Sequence, residues 1–120
     1  MWAPFEIVPS FPAVDLAEGG EIHFGSIRLQ VLHTPGHTEG SVCLLAADEG
    51  LLYSGDTLFA AGWGRVDLPG GDPDAMVASL TRMLGLEDHV RVYPGHGADT
   101  TIGRERPWLE MVRDSGRLPA

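Results

Sequence analysis

The sequence predicts a mixed α/β domain. Three observations carry that expectation: short apolar runs with strand periodicity bounded by turn residues, one segment with helical periodicity and both helix-end signals, and strand ends that pass through glycine into a polar side chain. The 120 residues form one domain or part of one.

Residues 1–20 hold three of the nine prolines and close on Gly19-Gly20, which reads as an extended lead-in segment with one short strand at Phe5–Val8. Glu21–Phe24 and Ile27–His33 flank Gly25-Ser26, a two-residue hairpin turn with glycine first. Ile27, Leu29 and Val31 alternate with Arg28 and Gln30, the period of a half-buried strand. Ser41–Ala46 and Leu51–Ser54 are two further short strands, turned by Asp48-Glu49-Gly50. Periodicity then stops between Gly55 and Asp72. That stretch is glycine-rich yet carries Leu58, Phe59, Trp63 and Leu68, and so reads as an ordered loop at a binding site, 55–72. Asp72-Pro73 supplies an N-cap and a first-turn proline. Met76, Val77, Leu80, Met83 and Leu84 share one helical face, and Gly85 is the stop. Val90–Tyr93 is the next strand, and a last helix is expected from about Pro107 to Asp114, ended by Gly116.

Composition removes several functions. The net charge is −9, with eight arginines, no lysine and no basic cluster, so nucleic acid is not an expected partner. No apolar run approaches the ~18 residues a membrane span requires, and the first residues do not read as a secretory signal. The single cysteine, Cys43, lies in an apolar run and reads as a small buried hydrophobe. A reducing cytoplasm is the expected compartment.

Three strands end alike. The first runs into Thr34-Pro35-Gly36-His37, the second into Ser54-Gly55-Asp56, the third into Tyr93-Pro94-Gly95-His96. Proline closes a ladder, glycine lets the chain turn sharply, and the next side chain is presented from a rigid strand end. Imidazole and carboxylate are ligands for zinc, iron and manganese. Each residue alone also fits a structural role, a hydrogen-bonded histidine or a turn capped by aspartate; the recurrence of the pattern makes His37, Asp56 and His96 the candidate metal ligands. His33 lies within its strand and reads as packed or supporting; His23 and His89 read as surface residues. Arg65 either faces an anionic substrate group or pairs with Asp67 or Asp72. Trp63 either lines the site or packs its loop down.

These segments resemble motifs of the metallo-β-lactamase superfamily. Thr34–Ser41 is similar to its third metal-binding motif, Ser54–Phe59 to its bridging-aspartate motif, and Tyr93–Gly97 to its last histidine motif, in the same order. Gly64–Asp72 and Thr100–Glu105 resemble segments of the glyoxalase II-like (hydroxyacylglutathione hydrolase-like) branch. The resemblance implies that 1–120 is the second, carboxyl-terminal half of an αββα sandwich. It also implies that His37 binds one metal, His96 a second, and that Asp56 bridges both and positions a metal-bound hydroxide. Two Zn2+ ions per complete site are implied, with iron or manganese as alternatives, and the substrate would be a small-molecule thioester such as an acylglutathione.

The family's first motif, H-x-H-x-D-H, has no counterpart; only His23 and His33 precede His37. These residues alone are therefore expected to be inactive. They are also expected to leave an apolar sheet face exposed, and to self-associate or to bind a separate amino-terminal half. Two rivals stand beside the hydrolase: an iron-dependent persulfide dioxygenase relative, and a metal-free interaction module that keeps only the fold.

Overall fold

A computed structural model describes residues 18–119. The strand expected at Phe5–Val8 lies outside the described residues. Among the described residues, eight strands and two α-helices follow one another: β1 (Glu21–Phe24), β2 (Ile27–His33), β3 (Val42–Ala46), β4 (Leu51–Gly55), β5 (Leu58–Phe59), β6 (Gly62–Trp63), α1 (Pro73–Met83), β7 (Arg91–Pro94), β8 (Thr100–Thr101) and α2 (Ile102–Ser115). A six-stranded sheet runs β1-β2-β3-β4-β7-β8, and β5 and β6 make a small hairpin of their own.

The strand directions place the site. β2, β3 and β4 pair antiparallel in turn, and β7 pairs parallel with β4. Hence β2, β4 and β7 all run the same way, and their carboxyl ends lie along one edge of the sheet. Those are the three ends at which the sequence carries His37, Asp56 and His96. The parallel β4–β7 pair requires a crossover, which the 56–72 loop and α1 supply.

Alternation along the strands divides the apolar residues between the two faces. Leu32, Cys43, Leu45, Leu52 and Val92 pack with Met76, Leu80 and Met83 of α1 and with Ile102, Leu109 and Val112 of α2. Met76, Leu80 and Met83 are fully buried, each contributing roughly 1.5–3 kcal/mol. The opposite face carries Ile22, Leu29, Val31, Leu44 and Ala46. The sequence reading expects this face to be open, but its centre is buried within the 120 residues: Val31 is 0% exposed and Leu44 1%. Partial access is kept by its rim, among them Ile27, Val42, Leu51, Tyr53 and Tyr93.

α1 forms as its sequence predicts. The Asp72 side chain accepts from the backbone N–H groups of Asp74 and Ala75, and Pro73 opens the first turn. α2 departs from prediction. It starts at Ile102, not at Pro107, because Thr101 caps it by accepting from the Arg104 N–H. Pro107 sits inside the helix, where its missing N–H forgoes one bond near the amino-terminal end. The same turn is held from outside: the Arg106 guanidinium donates to the Leu84 and Leu86 carbonyls and to Asp88. The 55–72 segment contains the β5–β6 hairpin, which has too few residues to show a period. No helix among the described residues is long and apolar enough to cross a membrane.

Candidate metal centre

His37 stands on a turn pinned to the start of α1. The Pro35 carbonyl accepts from the Ser79 hydroxyl at 2.7 Å, and the Gly36 carbonyl accepts from the Asp72 N–H at 2.8 Å. Gly36 has φ +145°, and a Cβ there would lie 2.6 Å from Met76 Cα, so only glycine lets the turn settle this closely on the helix. The His37 ring is fixed from behind, with Nδ1 2.8 Å from the Arg65 carbonyl oxygen. A carbonyl only accepts, so Nδ1 carries a proton, and in the neutral ring Nε2 presents its lone pair to the site.

Asp56 follows a register shift between Tyr53 and Gly55 that turns the chain off β4. The turn is closed by Ser54, whose hydroxyl donates to the Leu58 carbonyl at 2.6 Å and whose carbonyl accepts from the Thr57 N–H at 2.9 Å. Beneath it, the buried Thr57 and Thr34 hydroxyls bond at 3.0 Å, and Thr34 also meets the Cys43 thiol at 3.4 Å. This small polar network ties the end of β4 to the end of β2. His96 reaches the same place from β7, where the Gly95 N–H donates to the Gly55 carbonyl at 2.7 Å. The Phe59 ring lies 5.5 Å from the His96 ring, centroid to centroid.

The three side chains meet in a row. Asp56 Oδ2 is 3.5 Å from His37 Nε2, and Asp56 Oδ1 is 3.2 Å from His96 Nε2. The histidines thus face opposite oxygens of one carboxylate. Among the described residues, no three His, Cys, Asp or Glu side chains are grouped to hold a single ion. Asp56 Oδ1 is buried and has no hydrogen-bond partner. Leaving a buried carboxylate oxygen unsatisfied is costly, and the locked ring of His37 aims a lone pair, not a proton, at the other oxygen. Both features fit a donor set, His37, Asp56 and His96, that would hold cations. Nearby, burial first and then the Asp56 charge raise the Tyr53 phenol, which stays neutral.

The remaining candidates are placed as follows. Arg65 makes a two-pronged pair with Asp67, Nε to Oδ1 and Nη2 to Oδ2, each at 3.0 Å, so of its two readings the pairing one is seen. Its carbonyl, not its guanidinium, serves the site. Trp63 packs its loop down, with its ring 5.5 Å from Trp108. His23 and His89 are exposed beside Glu21 and Glu87. His33, expected to be packed or supporting, is exposed and so is not packed; it closes the β2–β3 ladder opposite Val42, at the rim of the sheet. Its backbone is held, with the N–H donating to Glu18 and the carbonyl accepting from Arg82. Sequence reasoning overlooked Thr34, Thr57 and Glu105. Glu105 had a legible signal, a carboxylate on the helical face otherwise carrying Ile102, Leu109 and Val112.

A fold with two helices on one sheet face, and two histidines meeting one carboxylate at its strand ends, has known counterparts. The Metallo-beta-lactamase superfamily profile matches residues 2–96, and the chain belongs to that family. Among curated relatives, it is 42% identical over 101 residues to the probable metallo-hydrolase YqgX of Bacillus subtilis, covering 82% of this chain and 48% of that protein. It is 37% identical over 90 residues to the hydroxyacylglutathione hydrolase GloC of Haemophilus influenzae, covering 74% and 42%. Among solved structures, a protein in a di-iron-bound form shares 46% identity at a TM-score of 0.68, covering 76% of this chain and 44% of that one. ETHE1 from Myxococcus xanthus shares 36% at a TM-score of 0.73, covering 82% and 45%. The chain spans about half the length of the curated relatives it matches, consistent with the carboxyl-terminal half of the family domain.

Proposed function

We propose that this chain supplies half of a two-metal hydrolase site that acts on a thioester such as an acylglutathione. The observation that carries the reading is the Asp56 carboxylate set between two histidines, with one buried oxygen lacking any hydrogen bond. His37 would hold the first metal, His96 the second, and Asp56 would bridge them. Zinc suits this donor set, with iron or manganese as alternatives; the di-iron form of a relative supports iron as one of them. Bound there, the metals would supply an acidified water and polarise the acyl oxygen. The chain's own residues orient that chemistry. The Arg65 carbonyl fixes the His37 tautomer, the Thr34–Thr57 pair fixes the spacing of two strand ends, and Phe59 seats the His96 ring.

The hydroxyacylglutathione hydrolases among the relatives support the thioester as substrate class. Such a substrate and an unpaired buried thiol, Cys43, both suit the reducing cytoplasm. Two protein donors per metal are too few for tight binding, so the H-x-H-x-D-H ligands must come from a partner segment for turnover to occur.

The test is metal content and acylglutathione hydrolysis, measured on these 120 residues alone and on their complex with a chain carrying H-x-H-x-D-H. The expected result is about two metals and turnover in the complex only. A complex that takes one iron and consumes oxygen with a persulfide would replace the hydrolase by a dioxygenase. A well-assembled complex that binds no metal would leave an interaction module.

A further inference from the structure

One buried carboxylate lies outside the ligand row. Glu105 is 3% exposed, and both its oxygens are engaged. Oε1 accepts from the Ala61 N–H at 2.7 Å and from Trp108 Nε1–H at 2.6 Å; Oε2 accepts from the Thr100 hydroxyl at 2.6 Å. Burial pushes the carboxyl up, and the hydrogen bonds from Thr100, Trp108 and Ala61 more than reverse this, so the group is ionised at neutral pH.

What it holds is unusual. Ala61 has φ +61° and is the one non-glycine residue with positive φ among the described residues. Alanine enters that region at a cost that surrounding contacts must offset. Ala61 turns the β5–β6 hairpin, and the segment around it reaches every member of the ligand row. Phe59 lies against His96. Gly64 packs on the Asp56 backbone. The Arg65 carbonyl holds His37. The Trp63 ring lies tilted against that of Trp108, the residue that shares Oε1 of Glu105 with Ala61.

We propose that Glu105 is a positioning residue for the candidate metal centre. It anchors the left-handed turn at Ala61 to α2 and thereby keeps Phe59, Gly64 and Arg65 seated on His96, Asp56 and His37. The consequence for metal binding rests on the two-metal reading; the anchoring itself does not.

The experiment therefore reads both. In the metal-free chain, NMR would follow amide exchange at Ala61 and the nuclear Overhauser contact between the Phe59 and His96 rings. In the complex with a chain carrying H-x-H-x-D-H, Zn2+ affinity would be titrated. Glu105→Gln should speed Ala61 exchange at least tenfold, weaken the ring contact and lower Zn2+ affinity at least tenfold. Adding Ala61→Gly, which removes the strain, should restore most of the ring contact and affinity. A variant that only lowers the melting temperature, with the ring contact and affinity kept, overturns the proposal; so does absence of rescue by Ala61→Gly. Should Glu105→Gln fail to fold, Thr100→Val removes one of the donors and should move the same readouts by a smaller factor; unchanged readouts there also overturn it. If the wild-type complex binds no Zn2+, the two-metal reading falls, while the exchange and ring-contact measurements still decide the anchoring.

Discussion

Replacing Gly64 by alanine is expected to disrupt the ligand row without altering a ligand. An added Cβ would sit 1.9 Å from the Asp56 carbonyl oxygen, 3.0 Å from the Asp56 carbonyl carbon and 3.2 Å from His37 Nδ1. The first contact is with backbone, so no side-chain rotation relieves it. The Asp56 peptide must retreat by about 1 Å, and a misplacement of that size costs on the order of 100-fold at a catalytic site. Overpacking of this kind also destabilises by about 1–3 kcal/mol, a fall of several degrees in melting temperature. The paired control is Gly62→Ala, two residues earlier, where an added Cβ meets nothing within 4 Å and φ is not positive. Zn2+ titration and acylglutathione turnover in the assembled complex would be run beside thermal unfolding of both variants. Gly62→Ala should stay close to wild type, and Gly64→Ala should lose both affinity and stability. A Gly64→Ala protein that melts, binds and turns over like wild type would refute the close-approach argument.

Three further outcomes follow from the same geometry. Asp72→Ala removes the acceptor of two N–H groups at the start of α1 and should cost about 1 kcal/mol, read as a lower urea midpoint; an unchanged midpoint would mean that water replaces the cap at no cost. The Glu18 carboxyl is held down to about 2, chiefly by the Arg82 side chain and then by the His33 N–H. Its folded value lies below its unfolded one, so its stabilisation is present above about pH 4.5 and is lost as pH falls toward 2. The pair is half-exposed and solvent-screened, so the effect is on the order of 1 kcal/mol or less; Glu18→Gln should flatten the acid limb of a stability-versus-pH curve in that window, and an unchanged limb would count against it. Finally, burial pushes the Cys43 thiol up to about 11. An aromatic disulfide reagent at pH 8 should find no reactive thiol until the protein is unfolded, and rapid native-state reaction would show the core around Cys43 to be open.

Much of this protein was legible in its sequence because much of it is local chemistry. The hairpin glycine, the Asp72-Pro73 start of α1 and the proline or glycine closures before His37, Asp56 and His96 act through the dihedrals and caps of their own few residues. They mark where strands stop and which side chains the stops present. The start of α2 was misjudged on the same local evidence: Pro107 looks like a first-turn residue, whereas Thr101 caps the helix earlier and Arg106 clamps the turn from across the fold. Tertiary structure alone decided that three ends share one sheet edge, since this depends on β7 pairing parallel with β4 rather than on either strand. It also decided that the Arg65 carbonyl, not its charge, reaches His37, that the second sheet face is buried at its centre, and that a carboxylate on α2 supports a strained turn 44 residues away in sequence. Local sequence sets backbone geometry over a few residues; contacts between distant segments arise only when burial of the shared core brings them together.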